Sequence, residues 1–278
     1  METLLQNHIF QRILLTDIDN KISTLIHPTA IVEPTAKLGL NVAIGPYSVI
    51  QENTEIGDES TIGNNTIICK NTKIGSRCKI FHSSSIGEIP QDLKYEGEET
   101  ATIIGDETII REYVTVNRGT KALGKTEIGS KCLLMASTHV AHDCILGNNV
   151  ILSNLTTLGG HVNISDWVVL GGGVLVHQFT HIGEHAFVGG GFRVVQDIPP
   201  FILAADNPLQ FKGINNVGLK RRGFSSEDRK LIKSIYKIYF RSGKNKNDAL
   251  STIQSEFQES EVAKKIITFI NQSNRGII

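Results

Sequence analysis

The sequence predicts an all-β solenoid of six-residue repeats with a small helical domain at its C-terminal end. An aliphatic residue stands at every sixth position through residues 26–86, 104–116 and 128–194. Glycine commonly follows that residue, and a small residue commonly stands four positions after it. The repeat ends near Pro199, and residues that start helices appear further on. A period of six fits short strands joined by sharp bends, whereas an amphipathic helix has a period of 3.6.

The solenoid is predicted over residues 26–198, where the repeats stack as coils. Parallel β pairing places successive coils about 4.8 Å apart, and each coil buries the apolar face of its neighbour. We expect the glycine after the aliphatic residue to use its freedom in φ at a tight corner. The small residues of the repeat include Ser48, Thr54, Ser60, Thr66, Thr72, Cys78, Cys132 and Cys144.

Two segments interrupt the repeat, residues 87–102 and residues 117–126. Loops inserted into a regular scaffold often carry function, so functional side chains are expected in both. Residues 1–25 precede the repeat as an N-terminal extension. The stretch IFQRILL within this extension fits a helix, and no function is assigned to it.

Residues 199–278 are predicted to form an irregular segment, through GINNVGLKRRGF, and then a C-terminal helical domain. Ser225 fits a helix N-cap, with Glu227 and Asp228 in the first turn. Basic residues follow at helical spacing on one face, namely Lys230, Lys233, Lys237 and Arg241. This basic face either docks an acidic protein or is simply solvated.

Composition excludes several classes of function. Lys and Arg number 28 and Asp and Glu number 28, so we expect no nucleic-acid partner and no broad attraction to anionic membranes. The four cysteines show no CxxC spacing and the chain lacks the pattern of a signal peptide, which predicts a reduced, cytoplasmic protein. No apolar run approaches the roughly 18–20 residues of a membrane-spanning helix, so no stable membrane insertion is expected.

The hexads resemble those of the hexapeptide-repeat acyltransferases. That resemblance implies a left-handed parallel β-helix with three hexads in each triangular coil. In such a coil of 18 residues, His161 and His177 follow His142 by 19 and 35 positions, which places the three on one edge of adjacent coils.

A row of histidines has three readings. Each one can be an ordinary surface residue at a corner. Imidazoles that converge on one point can instead hold a metal, as they do in hexapeptide-repeat carbonic anhydrases. The motifs around the row favour the third reading, in which the histidines act in acyl transfer. We therefore expect neither a metal nor a cofactor.

Seven motifs narrow the resemblance to the UDP-N-acetylglucosamine acyltransferase family of lipid A biosynthesis. In chain order they are IGEIPQDLKYEGEET, REYVTVNRGT, LLMASTHVAHDC, TLGGHV, VHQF, VVQDIPPF and GLKRRGF. The resemblance extends from about Ile26 to the C-terminal helices. QDLKY, HVAHD and GLKRRGF make it specific, because hexads alone indicate only a transferase-like solenoid.

The resemblance implies transfer of an (R)-3-hydroxyacyl group from acyl carrier protein to the 3-hydroxyl of the glucosamine unit of UDP-N-acetylglucosamine. A sugar hydroxyl is a weak nucleophile and needs a base that titrates near neutral pH, such as an imidazole. His142 matches the family's general base, and Asp143 matches the aspartate that orients it. Gly160 matches the residue whose backbone N–H stabilises the oxyanion. Alternatively, Asp143 only stabilises a turn and Gly160 only forms a corner.

Further residues match substrate contacts of the family. Those for the sugar, the diphosphate or the acyl chain are His139, His161 and Gln178, with Asp92 and Lys94 in the first interruption and Gln91 beside them. Those near the nucleotide are Asn215, Arg221 and Arg222, since guanidinium groups suit phosphate oxygens. His177 matches a position important for activity, with no role derived. A solvated loop would also explain the polarity of QDLKY.

The acyl groove is expected near Phe187, Gly190 and Phe192. Glycine leaves room for the tail and the two aromatic rings can close the groove, which favours a chain of roughly C14 or more. Two positions depart from the family pattern and leave acyl and uridine contacts open. Val217 stands where better-known members have glutamate, and Pro208 where they have histidine.

The family resemblance also implies a homotrimer with active sites between subunits. Three alternatives stay open at this point. A sister enzyme of the same pathway would acylate an amine, although QDLKY and GLKRRGF argue against it. Some relatives accept a 3-amino sugar nucleotide. A structural solenoid without activity would have interchangeable corners and no special row of histidines.

Overall fold

A computed structural model describes residues 25–278. The possible helix in IFQRILL and nearly all of the N-terminal extension lie outside these described residues. The first strand begins at Leu25, one residue before the predicted start of the solenoid.

Most of the strands are two residues long. The first fourteen are β1 (Leu25–Ile26), β2 (Ile31–Val32), β3 (Lys37–Leu38), β4 (Ala43–Ile44), β5 (Val49–Ile50), β6 (Glu55–Ile56), β7 (Thr61–Ile62), β8 (Ile67–Ile68), β9 (Thr72–Ile74), β10 (Lys79–Ile80), β11 (Ser85–Glu88), β12 (Ala101–Ile104), β13 (Ile109–Ile110) and β14 (Thr115–Asn117).

The later elements complete the solenoid and add the helical domain. The strands are β15 (Lys125–Ile128), β16 (Leu133–Leu134), β17 (His139–Val140), β18 (Ile145–Leu146), β19 (Ile151–Leu152), β20 (Thr157–Leu158), β21 (Asn163–Ile164), β22 (Val169–Leu170), β23 (Leu175–Val176), β24 (His181–Ile182), β25 (Phe187–Val188), β26 (Arg193–Val194), β27 (Ile202–Ala205) and β28 (Gln210–Ile214). The helices are α1 (Asn216–Arg221), α2 (Ser226–Arg241), α3 (Lys246–Glu256) and α4 (Glu261–Gln272).

Three parallel sheets form the sides of a left-handed β-helix, and every third strand falls in the same sheet. Sheet A begins with β1 and β4, sheet B with β2 and β5, and sheet C with β3 and β6. Leu25 pairs with Ala43 in a regular coil, a spacing of 18 residues. We name the corners by the sheets they join, so that the chain passes the AB, BC and CA corners in every coil.

The interior is a set of stacked aliphatic columns. In most strands the second residue points inward and is buried while the first points outward, as in β16 and β19. The small residues of the repeat are buried at the corners, where Ser60 Oγ donates to Gly75 O of the next coil at 2.9 Å. This packing removes apolar side chains from water and pairs the polar corner groups between coils.

The expected reason for the repeat glycines is wrong. The left-handed φ falls two residues after the glycine and is taken by other residues, such as Tyr47 at 58° and Glu59 at 59°. Glycine is needed instead because the coils approach closely: a β-carbon on Gly57 would lie 2.6 Å from the backbone of Gly75.

The two interruptions are shorter than predicted, because flanking residues join the sheets. Glu88 aligns with Asn117, and Ala101 with Lys125. The first insertion is therefore residues 89–100 and the second insertion is residues 118–124. Both leave sheet B and return in sheet C, so both lie at the BC corner.

The segment after residue 198 is more regular than the sequence indicates. β27 adds to sheet A, β28 pairs with it in antiparallel fashion, and α1 follows. Pairing with an exposed sheet edge satisfies the backbone of a stretch that has no hexad pattern. Tyr236 Oη on α2 donates to Pro200 O at 2.6 Å and fixes the helices against the last coil.

The predicted start of α2 is confirmed. Ser225 caps the helix, and Ser225 and Asp228 form a reciprocal capping box. No helix among residues 25–278 is long and apolar enough to cross a bilayer.

Candidate active site

His142 and Asp143 form a hydrogen-bonded pair at a BC corner, directly after β17. His142 Nδ1 lies 2.8 Å from Asp143 Oδ2. The side chain of Asp143 is fully buried, and that of His142 is 13% exposed. An ionised carboxylate can only accept, so Nδ1 carries a proton in this contact, and in the neutral ring the lone pair is then on Nε2. The contact orients the imidazole with Nε2 directed away from Asp143.

The second insertion holds the carboxylate of Asp143. Thr120 donates twice, from its backbone N–H to Oδ1 at 3.0 Å and from its hydroxyl to Oδ2 at 2.7 Å. The N–H of Leu123 donates to Oδ1 at 3.2 Å. The N–H of Asp143 donates to Thr126 Oγ1 at 2.8 Å. A buried carboxylate with this many donors is well compensated for the water it has lost.

Gly160 lies beneath the ring of His142 in the next coil. A β-carbon at this position would be 2.6 Å from His142 Cε1 and 2.7 Å from Nε2. The neighbouring N–H groups of Gly159 and His161 donate to Val176 O and His142 O. Within residues 25–278 the N–H of Gly160 has no such acceptor.

His161 and His139 flank the pair. The rings of His142 and His161 meet edge to face with centroids 5.1 Å apart, and His161 stacks on Phe179 at 4.5 Å. Burial lowers the pKa of His161, and His142 adds to this, whereas the charges of Asp143 and Asp92 oppose it. Burial, reinforced by His142, also lowers the pKa of His139, whose Nδ1 lies 2.8 Å from Thr115 Oγ1. Both rings therefore favour the neutral form.

His142, Asp143 and His161 could also offer three ligand atoms to a metal, since these atoms lie within 4.8 Å of one another. The same groups already serve other partners. Both oxygens of Asp143 accept hydrogen bonds from the second insertion, and Oδ2 also receives His142 Nδ1. This donor set fits an oriented histidine better than a tetrahedral metal site.

The first insertion brings Asp92 toward the pair, close enough to influence the pKa of His161. Asp92 Oδ1 accepts the N–H of Lys94 at 3.0 Å, which shapes the QDLKY turn. Gln91 and Lys94 are exposed. His177 and Gln178 are exposed at the BC corner one coil beyond Gly160. The stack is therefore continuous along the predicted edge.

The structure does not bring the nucleotide-side residues to this edge. Asn215 Nδ2 donates to His185 O at 2.9 Å, and Arg222 Nη1 donates to His185 Nδ1 at 3.3 Å. The guanidinium of Arg222 also lies over Trp167, 5.2 Å from the ring centroid. Trp167 and His185 stand at CA corners, on a different edge from His142. Arg221 is exposed at the end of α1.

His185 is enclosed by aromatic rings and a cation. It stacks with Trp167 and Phe201 and meets Phe224 edge to face. Burial lowers its pKa to about 4, and Arg222 and Lys265 add to this. Burial also lowers the pKa of Arg222. The neutral imidazole accepts the hydrogen bond from Arg222.

The residues expected near an acyl groove lie around an AB corner. Gly190 is exposed there, and a β-carbon on it would meet Gly172 O at 3.0 Å. The ring of Phe192 lies over Gly189, at 2.9 Å from the position of a β-carbon. Phe187 points outward from sheet A. These side chains are separated from His142 by the width of sheet B.

Sequence reasoning missed Thr120, Leu123 and Phe179. The second interruption was recognised, but nothing in NRGTKALGKT shows which residue contacts Asp143. The only available signal was the insertion itself, because a loop at the same corner as the histidine row is expected to contact those histidines or their neighbours.

Comparison with known proteins identifies the family of this chain. The model for the bacterial transferase hexapeptide (six repeats) matches residues 35–70 and 125–160. The model described as UDP-N-acetylglucosamine O-acyltransferase, domain 2, matches residues 197–278. Together they cover parts of the solenoid and the whole helical domain.

Curated relatives are similar over nearly the full chain. A protein of Myxococcus xanthus named acyl-[acyl-carrier-protein]–UDP-N-acetylglucosamine O-acyltransferase is 49% identical over 253 residues, which span 91% of this chain and 98% of the relative. A protein of the same name from Janthinobacterium sp. is 49% identical over 92% of this chain and 99% of the relative.

Solved structures share the fold. LpxA of Bacteroides fragilis, a UDP-N-acetylglucosamine acyltransferase, aligns with a TM-score of 0.89 at 44% identity, over 90% of this chain and 98% of its own. LpxA of Acinetobacter baumannii aligns with a TM-score of 0.88 at 39% identity, over 91% and 99%. The chain is therefore an acyltransferase and belongs to the acyl-[acyl-carrier-protein]–UDP-N-acetylglucosamine O-acyltransferase family.

Proposed function

We propose that the protein transfers an (R)-3-hydroxyacyl chain from acyl carrier protein to the glucosamine 3-hydroxyl of UDP-N-acetylglucosamine, the first step of lipid A biosynthesis. The observation that carries the proposal is the buried Asp143 carboxylate bonded to His142 Nδ1, beside the backbone of Gly160. The two substrates are those in the names of the family members, and the His142–Asp143 pair provides the base for the transfer.

The reaction begins when His142 Nε2 takes the proton of the sugar 3-hydroxyl. The sugar oxygen then adds to the thioester carbonyl and forms a tetrahedral oxyanion. Collapse of this intermediate breaks the carbon–sulfur bond, and the proton held by His142 passes to the departing thiolate. Asp143 stabilises the imidazolium that exists between the two proton transfers.

Gly160 provides the oxyanion contact in this scheme. The glycine lies against the ring of His142, and its N–H has no acceptor within the described chain. A fixed N–H donor stabilises negative charge that develops on the carbonyl oxygen without having to reorganise. Gly160 therefore has two tasks, to let the ring of His142 approach and to present its N–H.

The sugar nucleotide is proposed to span two subunits of a homotrimer. Asp92, Lys94, His139 and His161, with Gln91, are proposed to contact the substrate near His142, and His177 and Gln178 extend the same edge. Asn215, Arg221 and Arg222 lie on another edge of the chain, so a neighbouring copy would supply the nucleotide contacts. The outward apolar residues of sheet A support such an assembly, namely Ile109, Leu133, Ile151, Val169 and Phe187.

Acyl carrier protein is proposed to dock on the basic face of α2. A groove of about 750 Å³ beside this helix is lined by Lys230, Lys233, Lys237 and Arg241, with Phe211 on its wall. Charge complementarity with an acidic carrier would guide encounter. The four cysteines are free and buried, which is compatible with a reducing compartment, and we place the reaction in the cytoplasm.

The acyl tail is proposed to run along the AB corner past Gly190, where the backbone is uncovered. Phe187 and Phe192 would limit its path. A chain of roughly C14 or more remains the expected length, because discrimination between acyl lengths depends on where the groove closes.

The test is mass spectrometry of the products formed from UDP-N-acetylglucosamine and a ladder of (R)-3-hydroxyacyl carrier proteins. We expect an O-acylated sugar nucleotide from the wild type and about 100-fold to 10,000-fold less from His142→Ala. His82→Ala is the matched control, since His82 lies on an AB corner near Tyr113 and away from the pair.

Three further results would redirect the assignment. A wild-type protein that acylates only a 3-amino acceptor would change the sugar. Bound zinc with hydration activity would replace acyl transfer by metal chemistry. A folded wild type inactive in every assay would reject the proposed donor and acceptor.

A further inference from the structure

We propose that the second insertion, residues 118–124, is a positioning element for the His142–Asp143 pair and that Thr120 is its principal positioning residue. The inference rests on the proposed function, because it assigns Thr120 to the step in which His142 becomes protonated. Thr120 itself touches neither His142 nor the reacting atoms in this scheme. It acts through Asp143.

The hydroxyl of Thr120 is fixed in direction. It accepts the N–H of Ala122 at 3.2 Å and lies 2.7 Å from Asp143 Oδ2. Because Ala122 occupies one lone pair, the hydroxyl proton is directed to the carboxylate. Oδ2 is also the oxygen that accepts from His142 Nδ1. One hydrogen bond therefore sets the rotation of the same carboxylate oxygen that orients the base.

An ordinary corner would not bury this carboxylate. Asn53 and Phe179 occupy the equivalent BC-corner position in other coils, with left-handed φ like Asp143, and both are exposed. Asp143 is instead 2% exposed, and Thr120 is 8% exposed. The insertion covers the corner and replaces water by three fixed donors. A carboxylate held this way cannot rotate freely away from the imidazole.

The same segment also fastens the first insertion. The N–H and Nε of Arg118 donate to Glu88 O at 2.9 Å and Gly87 O at 2.8 Å. Asn117 Nδ2 donates to Ile89 O at 3.0 Å. At the other end, Thr100 Oγ1 donates to Gly119 O at 2.6 Å.

These bonds join the two insertions into one unit at the BC corner. Arg118 is 2% exposed, which makes its attachment to the end of β11, directly before the first insertion, a buried contact. The loop that carries Asp92 and the loop that orients His142 therefore keep a fixed relation to each other. Asp92 retains its place when only the Thr120 hydroxyl is removed, since no contact of the first insertion uses that hydroxyl.

This division predicts which kinetic constant changes. The Thr120 hydroxyl supports Asp143 most when His142 is positively charged, that is, in the transition state and intermediate. Its loss should lower kcat and leave the KM for UDP-N-acetylglucosamine nearly unchanged.

The experiment compares Thr120→Val, Thr120→Ser and Thr108→Val in the full-length protein. Valine keeps the shape of threonine and retains the backbone N–H bond to Asp143, whereas serine restores the hydroxyl. Thr108 is the control because it is also buried and its hydroxyl donates to Gly129 O at 2.9 Å, away from the pair.

We expect Thr120→Val to lower kcat about 10-fold to 100-fold, the range of a supporting hydrogen bond behind a catalytic ligand. Its KM should stay within about threefold of wild type, and Thr120→Ser should recover most of the kcat. Thr108→Val should lower the Tm but not kcat. A Thr120→Val enzyme with the kcat of the Thr108→Val enzyme, or with the loss carried in KM, would overturn the inference.

Crystal structures of wild type and Thr120→Val give a readout that needs no activity. The expected result is rotation of the Asp143 carboxylate, with its contact to His142 Nδ1 lost or lengthened. An unchanged pair in Thr120→Val would overturn the positioning role, whatever reaction the wild type catalyses. An inactive wild type whose pair rotates in the variant would contradict the proposed substrates alone. If the valine variant does not fold, Thr120→Ala replaces it in both measurements.

Discussion

The ring of His142 lies over Gly160, so closely that a β-carbon there would be 2.6 Å from Cε1. A residue in one coil thus depends on the absence of a side chain in the next. Gly160→Ala should displace the imidazole and cost about 1–3 kcal/mol in unfolding free energy, as overpacked sites do. Activity should fall much further than stability, because the displaced ring leaves both Asp143 and the amide of residue 160.

Two measurements check this outcome. Chemical denaturation gives the stability change, and acyl transfer under saturating substrates gives kcat. Full activity in a folded Gly160→Ala protein would show that the ring and the glycine amide are not used together.

Asp143→Asn should reduce kcat by at least about 100-fold, because an amide cannot stabilise the imidazolium as a carboxylate does. The amide also places an NH₂ group where Thr120, Leu123 and His142 already donate. That conflict should cost about 1–3 kcal/mol in unfolding free energy, the usual penalty for an unsatisfied buried group. Steady-state kinetics and urea denaturation measure the two effects.

Asp58→Asn is the control for this change. Asp58 Oδ1 also accepts a corner N–H, from Leu40 at 2.8 Å, but in a coil far from His142. Equal kinetic losses in the two variants would contradict a special role for Asp143.

Stability should fall as pH drops from 6.5 toward 4 because of His185. Its pKa is lowered from 6.5 to about 4, so in this window the unfolded chain binds a proton that the folded chain does not. The stabilising contribution is complete above pH 6.5 and is lost as pH falls through the folded pKa. Since the ring is partly exposed, solvent screening reduces the expected loss to about 1–2 kcal/mol.

Denaturation curves at pH 7.0, 5.5 and 4.5 test this prediction. His185→Phe keeps the stacking with Trp167 and Phe201 but cannot take up a proton. The variant should show a shallower dependence on pH over this window. A slope equal to that of wild type would assign the effect to other groups.

Charge reversal on α2 should weaken the binding of acyl carrier protein but not that of the sugar nucleotide. Lys233→Glu combined with Lys237→Glu is expected to raise the KM for acyl carrier protein about 10-fold at low salt, with less effect at high salt. The KM for the sugar nucleotide should not change. Lys246→Glu, on α3 and outside the groove, is the control, and an equal rise in that variant would argue against a docking face.

Much of the fold followed from the sequence because hexads encode burial one residue at a time. Ile62 and Ile80 stand at aliphatic positions of the repeat and both are buried. A shift of one residue would turn every side chain of that aliphatic column outward. The adjacent His142 and Asp143 could also be predicted as a pair, since they share one corner. Segments without a period were harder, and the hairpin of β27 and β28 forms only because sheet A offers it an edge.

The remainder of the site depends on contacts between distant stretches. Thr120 reaches Asp143 across 23 positions, through a loop whose path no local pattern describes. Likewise, the placement of Asn215 and Arg222 on another edge results from how the helices pack against the last coil. Motif matching identifies such residues, but it does not show whether they act with His142 of the same subunit or of a neighbouring subunit.

In the regular coils from residue 49 onward, the BC corner has a left-handed residue three positions after the buried strand residue, and that position accepts Asn53, Asp143, His161 and Phe179 with nearly the same φ. The backbone at this position therefore tolerates very different side chains. New chemistry can be acquired by a single substitution in one turn of the solenoid, while the neighbouring turns fix its height along the edge. An evolving enzyme of this type can exchange base, stacking ring or polar contact independently, without rebuilding the framework that aligns them.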